Sequence, residues 1–542
     1  MPQKGNKYTS LLLISGILIL TFFLYRNSLN NQVLHFDDTE YFTIHPEVTH
    51  LTWQSLPKFF TSYYLVMYQP LPVLTLSLNY HFTGTDPVPF HLVNLLFHLV
   101  NILLVYRLAT LLFGKKGMAL AIALVFAIHP MNVEAVSWIS ARSSGMYTMF
   151  YLLALIFYVR YIRKDLKTGQ LLLSFLFFVL ALFSKSQAIT LPLVLILVDY
   201  FYRRNLISPR VILEKIPFLI LSAVFGWIAL HNPASAEIAS KGMLATYSPV
   251  DDLFMVCFSF AFYLVKFFIP LGLNAAYVYP PVDKGFLPLW YYLSPVLLAA
   301  VGYLVYRFRD RRFFVFGILF FFLTIFINIQ VIPSRLVIVA DRYAYVPYLG
   351  LLFLLMPLAD EWRTERPYQW KKIQGWIYAV CLFYLVFFSA SVVIRNETWN
   401  NDYVFMSDLI SKNPDVPYLY RAYGTRGNWL KNQGRYEEAL QDYSQAIRLK
   451  PDNAVVYANR ALLYFQNQDF KSVISDADKA EALNYRSSAL YQIRAISKFY
   501  RQDFRGALQD CDAGLKLDPT WADGRNIRTI ILDSLNRSQA GH

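Results

Sequence analysis

The chain has 542 residues, of which 56% are hydrophobic, 17% aromatic and only 16% charged. Soluble proteins carry about a quarter charged residues, so this composition excludes an ordinary soluble protein and points to a lipid environment. The net charge of +14 would suit nucleic acid, but the basic residues fall in short clusters between apolar runs: Lys4 and Lys7, Lys115 and Lys116, Arg160 to Lys167, Arg203 and Arg204, Arg307 to Arg312, and Arg363 to Lys372. That is the pattern of cytoplasmic loops under the positive-inside rule, and it argues against a nucleic-acid face.

The first apolar run, Tyr8 to Tyr25, is followed by no small-x-small cleavage site and reads as a retained first helix. Next comes NQVLHFDDTEYF, which sets the adjacent carboxylates Asp37 and Asp38 at the mouth of the membrane. Further apolar runs begin near Phe90, Met118, Met146, Gln170, Ala188, Ile216, Leu253, Leu289, Phe313, Tyr345 and Trp376. The loop with Arg203 and Arg204 and the loop RFRDRR both belong in the cytoplasm, so an even number of crossings must separate them. One of the three runs between them therefore does not cross. Leu253 to Pro270, with Lys266 and a terminal proline, is chosen, and Ile216 to Leu230 is the alternative. About 11 spans result, with the N-terminus inside and the C-terminus outside.

The outward loops of this arrangement hold most of the polar residues without an evident structural duty: Glu134, Arg142, Lys185, Arg335, Asp341 and Arg342 join the acidic pair. Charges at membrane depth are costly unless they pair or serve a substrate. A carboxylate can take a proton from a hydroxyl, and the planar fork of arginine matches phosphate oxygens. His91, Asn94, His98 and Asn101 recur on one helical face, the ordinary spacing of hydrogen-bonding glue between helices, with His91 nearest the outer end. His129 either reaches the site or caps a helix, and Tyr343 and Tyr345 either stack on a sugar or anchor at the interface. The loop LNAAYVYPPVDKGF is a candidate gate. The cysteines, Cys257, Cys381 and Cys511, stand far apart and outline neither a disulfide framework nor a metal site.

The membrane part is expected to span 1–395, and a linker 396–419. From 420 to 542 a 34-residue period takes over: Tyr423, Tyr457 and Tyr491; Gly427, Ala461 and Ala495; Tyr436, Phe470 and Phe504; Pro451, Tyr485 and Pro519. This is the tetratricopeptide (TPR) pattern, with units 420–453, 454–487 and 488–521 and a capping helix at 522–537. Arg426, Arg460 and Arg494 recur in register with Asp442, Asp476 and Asp510, as a binding ladder or, the favoured reading, as pairing inside each repeat.

The stretches HFDDTEYFTIHPEV, YQPLPVL, FHLVNLLFH, HPMNVEAVSWISARSS, SKSQAITLPLVLILVDY and ADRYAYVPYLG, with repeats after the last span, resemble the multispanning, TPR-bearing protein O-mannosyltransferases of the GT-C class. The resemblance implies an all-α fold: a polytopic GT-C-type membrane domain followed by a soluble α-solenoid. It implies an inverting glycosyltransferase that moves a sugar, mannose first, from a polyprenyl- or dolichyl-phosphate donor to Ser/Thr hydroxyls of a protein. Asp38, with Asp37 as the alternative, would take the acceptor proton. Arg342 and Arg142, with Lys185 third, would hold the donor phosphate, while Glu134, His91, His129, Tyr343 and Tyr345 line the site. No metal site is predicted; a divalent ion, if used, would have Asp37, Asp38, Glu134 and His35 as possible ligands. The implied partners are the lipid-linked sugar, membrane lipid and an acceptor protein or peptide held by the repeats, with no nucleic acid. The repeats would face the bacterial periplasm, or the lumen of the endoplasmic reticulum in a eukaryote. Two alternatives remain at this level: a GT-C transferase that modifies a glycan or lipid, and a non-catalytic TPR scaffold in the membrane.

Overall fold

Helices supply nearly all the regular structure in this computed structural model, which describes residues 7–65, 67–232, 247–280, 286–329, 337–413, 416 and 419–540. Arg335, Lys4 and residues 281–285 of the candidate gate lie outside the described residues. The chain divides into two units, Met1–Asn401 and Asp402–His542.

Among the described residues of the first unit six helices are long and apolar enough to cross a bilayer: Tyr8–Asn30, Pro87–Phe113, Ile139–Arg163, Pro209–Leu230, Leu289–Arg307 and Pro367–Glu397. The protein is thus a multi-pass membrane protein. Lys116–Ile128 and Pro130–Ser137, bent by 57°, make a seventh span if counted as one. The count of about 11 is not reached. The runs near Gln170, Ala188 and Phe313 become Thr168–Ser184, Ser186–Phe201 and Arg312–Phe326, apolar helices of at most 17 residues. A straight crossing takes about 20. Helix Pro347–Glu365 carries Asp360, Glu361, Arg363 and Glu365 near its end, and Pro249–Phe268 carries Asp251, Asp252 and Lys266, so neither qualifies.

The Pro87–Phe113 helix packs on both Lys116–Ile128 and Arg142–Arg163. Asp86 caps its start by accepting the Val88 N–H at 3.1 Å, and Gly114 ends it in the left-handed conformation at φ +71°. Its polar face turns inward. Asn94 donates to the Trp138 carbonyl at 2.9 Å and Asn101 to the Gly145 carbonyl at 2.9 Å. His98 Nε2 donates to the Ala127 carbonyl at 3.1 Å, which leaves Nδ1 to accept the Tyr345 hydroxyl at 2.6 Å. Bonds of this kind contribute about 0.6–2 kcal/mol each in a membrane. Farther along, helices Arg312–Phe326 and Pro347–Glu365 touch backbone to backbone. A Cβ on Gly317 would stand 2.6 Å from the Gly350 carbonyl oxygen, and one on Gly350 would stand 2.5 Å from that of Gly317.

Short helices Asp38–Thr43, Pro46–Thr49, Leu56–Thr61 and Pro70–Thr83 form a layer over one end of the bundle. Prolines in their first turns start three of them, where the missing N–H costs nothing. Tyr41, Val48, Phe59, Tyr64, Val73 and Leu76 pack there with Phe90 and Ile139 into one buried cluster. Inside the bundle the backbone leaves the helical conformation at His129 ahead of Pro130, at Trp138 and at Lys185. Irregular backbone at such depth persists only where protein buries it or it lines a cavity.

The second unit is the repeat array. Helices Tyr420–Asn432, Ala454–Gln466 and Ser488–Tyr500 start 34 residues apart and pair with Tyr436–Leu449, Phe470–Ala482 and Phe504–Leu517; Gly524–Ala540 closes the stack. Part of the segment read as linker is also helical: Asp402–Lys412 packs on Tyr420–Asn432 and buries Phe405, Met406 and Leu409. Arg426 pairs with Asp442 at 2.8 and 2.8 Å, Arg460 with Asp476 at 2.7 and 2.9 Å, and Arg494 with Asp510 at 2.9 and 2.6 Å. The register therefore records pairing within each repeat. The same positions also reach back one unit: Arg460 to Ser444 at 3.0 Å, Arg494 to Asp478 at 2.7 Å and Arg528 to Asp512 at 2.6 Å.

Candidate active site

The acidic pair opens the Asp38–Thr43 helix, and its two members differ. Asp38 is 1% exposed. One of its oxygens accepts the Ser140 N–H at 2.9 Å and the Ser140 hydroxyl, and the other accepts the Leu34 N–H at 3.2 Å. Ser140 belongs to the 3-10 turn Ile139–Ala141, which follows the extended Trp138 and leads into the Arg142–Arg163 helix. Asp37 is only half-buried and lies within electrostatic reach of Arg342. Burial first, then the charges of Asp37 and Asp38, push the Tyr41 phenol well above its usual range, while Gln69 donates to its oxygen at 2.5 Å.

Arg342 comes from the turn Asp341–Ala344. Glu134, which is buried, accepts its backbone N–H at 2.8 Å with one oxygen and its guanidinium with the other. The guanidinium lies 5.1 Å from the Trp138 ring and 5.0 Å from that of Tyr343, and the side chain stays 19% exposed. Burial alone would lower its pKa, but Glu134 and the nearby anions raise it, so the cation is fixed. The next carboxylate, Asp341, is fully buried, accepts the Tyr277 hydroxyl at 2.7 Å and faces Arg395 at 3.3 Å. Burial pushes Asp341 up to about 7 against the pull of Arg395.

Several expected members stand elsewhere. Arg142 does reach Asp38 electrostatically, but it is 1% exposed and gives its donors to neutral groups: Asn94 at 2.9 Å, Asn79 at 2.6 Å and the Phe90 carbonyl at 3.0 Å. It is held inside the bundle, at the start of the helix that follows the Asp38 turn. Lys185 is 4% exposed, donates to Ser144 at 2.6 Å and lies 5.9 Å from the Tyr147 ring, so it rests on the first turn of the helix that Arg142 begins. His91 is buried against the backbone of Asn31 and Ser137, and is wall rather than surface. His129 caps: Nδ1 accepts the Met131 N–H at 3.2 Å and Nε2 donates to the Phe267 carbonyl at 3.1 Å, with aromatic rings around it. Tyr345 is buried and bonds His98, whereas Tyr343 lies under Arg342.

Sequence reasoning passed over Ser140, Trp138, Tyr277 and Arg395. One signal for Arg395 was available: an arginine ends an apolar span at the side where basic residues are scarce. Asn396, in the sequon-like NET, is buried; it donates to the Leu24 carbonyl at 3.1 Å and accepts from Ser137. Among the described residues no three His, Cys, Asp or Glu side chains gather as a metal-binding group. Of the carboxylates at the site, Glu134 is taken by Arg342 and Asp38 by N–H and O–H donors, which fits a divalent ion poorly.

Residues 69–231 match the family model of dolichyl-phosphate-mannose-protein mannosyltransferases, and residues 427–468 match a TPR repeat model. The human protein O-mannosyl-transferase TMTC1 is 27% identical over 449 residues, covering 73% of this chain and 49% of that protein. Mouse protein O-mannosyl-transferase TMTC3 is 25% identical over 434 residues, covering 73% of this chain and 46% of its own length. Both relatives are named protein O-mannosyl-transferases. The chain spans about half the length of these relatives. The mannosyltransferase match includes Glu134, Arg142 and Lys185, while Asp37, Asp38 and Arg342 stand outside it. Among solved structures, the first TPR domain of human RPAP3 is 28% identical and covers 23% of this chain and 100% of its own, with a TM-score of 0.22.

Proposed function

We propose that this relative of the protein O-mannosyl-transferases is an inverting glycosyltransferase. It moves mannose from a polyprenyl- or dolichyl-phosphate donor to a Ser or Thr hydroxyl of a protein, on the membrane face opposite the basic loops. The observation that supports this most is the meeting of Asp37, Asp38, Glu134 and Arg342, from three distant parts of the sequence, around the Trp138–Ser140 turn. Asp37, the more exposed acid, takes the acceptor proton as the hydroxyl oxygen attacks the anomeric carbon. The bond from that carbon to the phosphate oxygen breaks on the opposite side, and the electron pair leaves with the lipid phosphate. Arg342, oriented by Glu134, stabilises that charge. A donor placed in this way is worth about 3–4 kcal/mol. The repeats hold the acceptor protein. Asp38 and Glu134 are committed to protein donors, so the reading assigns no step to a metal and transfer is expected to persist in EDTA.

The test is transfer of radiolabelled mannose from polyprenyl-phosphate mannose by the purified protein. Arg342→Ala in a Glu134→Gln background, which leaves no buried carboxylate without its cation, should lose about 10²–10³ in kcat while keeping its fold. Wild-type protein that transfers no sugar to any protein acceptor offered, with its repeats still holding a partner, would leave the scaffold reading in its place.

A further inference from the structure

At the far end of the Pro87–Phe113 helix, about 20–25 Å along its axis from Asn94, which bonds the turn that holds Asp38, lies a cavity of about 590 Å³. Arg107, Arg160, Arg163 and Lys164 line it, with Thr110 and Leu111 between them and no carboxylate in its wall. Arg163 donates to the Leu111 carbonyl at 3.0 Å, and Arg160 lies 5.3 Å from the Phe157 ring. Among the described residues none of these four cations pairs with a carboxylate. Nearby cations of the basic loops differ: Lys115 and Arg363 pair with Asp360, Arg311 with Glu361, and Arg204 with Asp199 and Glu214. Four cations collected around one concavity without a counter-charge make a site that favours an anion.

The same helix face says which anion. Val88, Leu92, Leu96, Val100 and Leu103 are its exposed large apolar residues, and steps of three and four carry that stripe directly to exposed Arg107. A ligand lying there meets hydrocarbon along the helix and positive charge at its end. We infer that this cavity binds the headgroup of an anionic phospholipid, with the acyl chains along the Leu92–Leu103 stripe. Basic pockets between helices at a membrane interface suit such headgroups, and four cations match a lipid with two phosphates better than one with a single phosphate. The inference rests on none of the residues assigned to sugar transfer.

The experiment is native mass spectrometry of the full chain in detergent, titrated with cardiolipin, phosphatidylglycerol or phosphatidylcholine, with thermal melting alongside. Wild type should bind cardiolipin on the order of tenfold or more tightly than phosphatidylcholine, and melt higher with it. Arg107→Gln/Arg160→Gln/Lys164→Gln should lose that preference. A variant of equal charge, Arg307→Gln/Arg309→Gln/Lys371→Gln, should keep it. If the triple variant fails to fold, Arg107→Gln alone, at an exposed position, should weaken cardiolipin binding severalfold. Equal binding of all three lipids, or unchanged binding by the cavity variants, overturns the inference. Displacement of the lipid by millimolar inorganic phosphate overturns it in favour of a free-phosphate site.

Discussion

Asp37 and Asp38 are chain neighbours with divided duties. Asp38 gives both oxygens to Ser140 and Leu34 inside the protein, while half-buried Asp37 faces Arg342. Asp37→Asn should therefore fold normally and lose about 10²–10⁴ in kcat. Asp38→Asn should lose both rate and melting temperature, because an amide cannot accept all three donors. Kinetics and thermal melting of the two variants separate the roles. Asp341 carries a different expectation. Its carboxyl is raised to about 7, so its stabilising contribution is present at low pH and is lost as pH rises through about 7. Wild-type melting temperature should fall from about pH 4 to 7 more steeply than that of Asp341→Asn, as differential scanning across that window would reveal. The acidic pair and Arg342 were legible as residues because charges at membrane depth are few. Their partners were not, since Ser140, Trp138 and Tyr277 are ordinary residue types whose meaning comes from contacts across more than 60 positions. The surroundings of Arg142 were hidden for a related reason: nothing in the sequence tells a cation facing solvent from one enclosed by Asn94, Asn79 and the Phe90 carbonyl.

Among the elements, periodic patterns were the readable ones. The inward polar face of Pro87–Phe113 and the 34-residue step both survive because they repeat along a helix or along an array. Breaks are single events and leave little trace. Pro130 announces one, but Lys185 follows a serine with no proline or glycine beside it, and the apolar runs around it conceal two short helices. Two of the runs counted as crossings lie there; the others are those near Phe313 and Tyr345. The Gly317–Gly350 contact is another single event with a large effect. Gly317→Leu would drive a side chain into the Gly350 backbone and should cost about 1–3 kcal/mol, read as a lower melting temperature, whereas the same change at Gly302, which has no neighbour within 4 Å, should not.

For the molecule as a whole, the expected division of labour is chemistry in the membrane unit and acceptor capture in the repeats. Arg460→Ala would leave Asp476 buried without its partner and should destabilise the array by about 3 kcal/mol. KM for a protein acceptor should then rise while turnover of a short Ser/Thr peptide is unchanged, which steady-state kinetics on the two substrates would distinguish.

The arginine register also limits how such an array can change length over generations. Arg460 and Arg494 each grip an aspartate 16 residues ahead and a polar side chain 16 residues behind, in the neighbouring unit. Copying a segment of 34 residues copies both grips together, so a tandem duplication inherits complete pairs at its new seam. An insertion of a fraction of a unit inside that 16-residue interval breaks the step and parts arginine from aspartate. Growth by whole units is therefore nearly free of penalty, and growth by fractions is selected against at the first step.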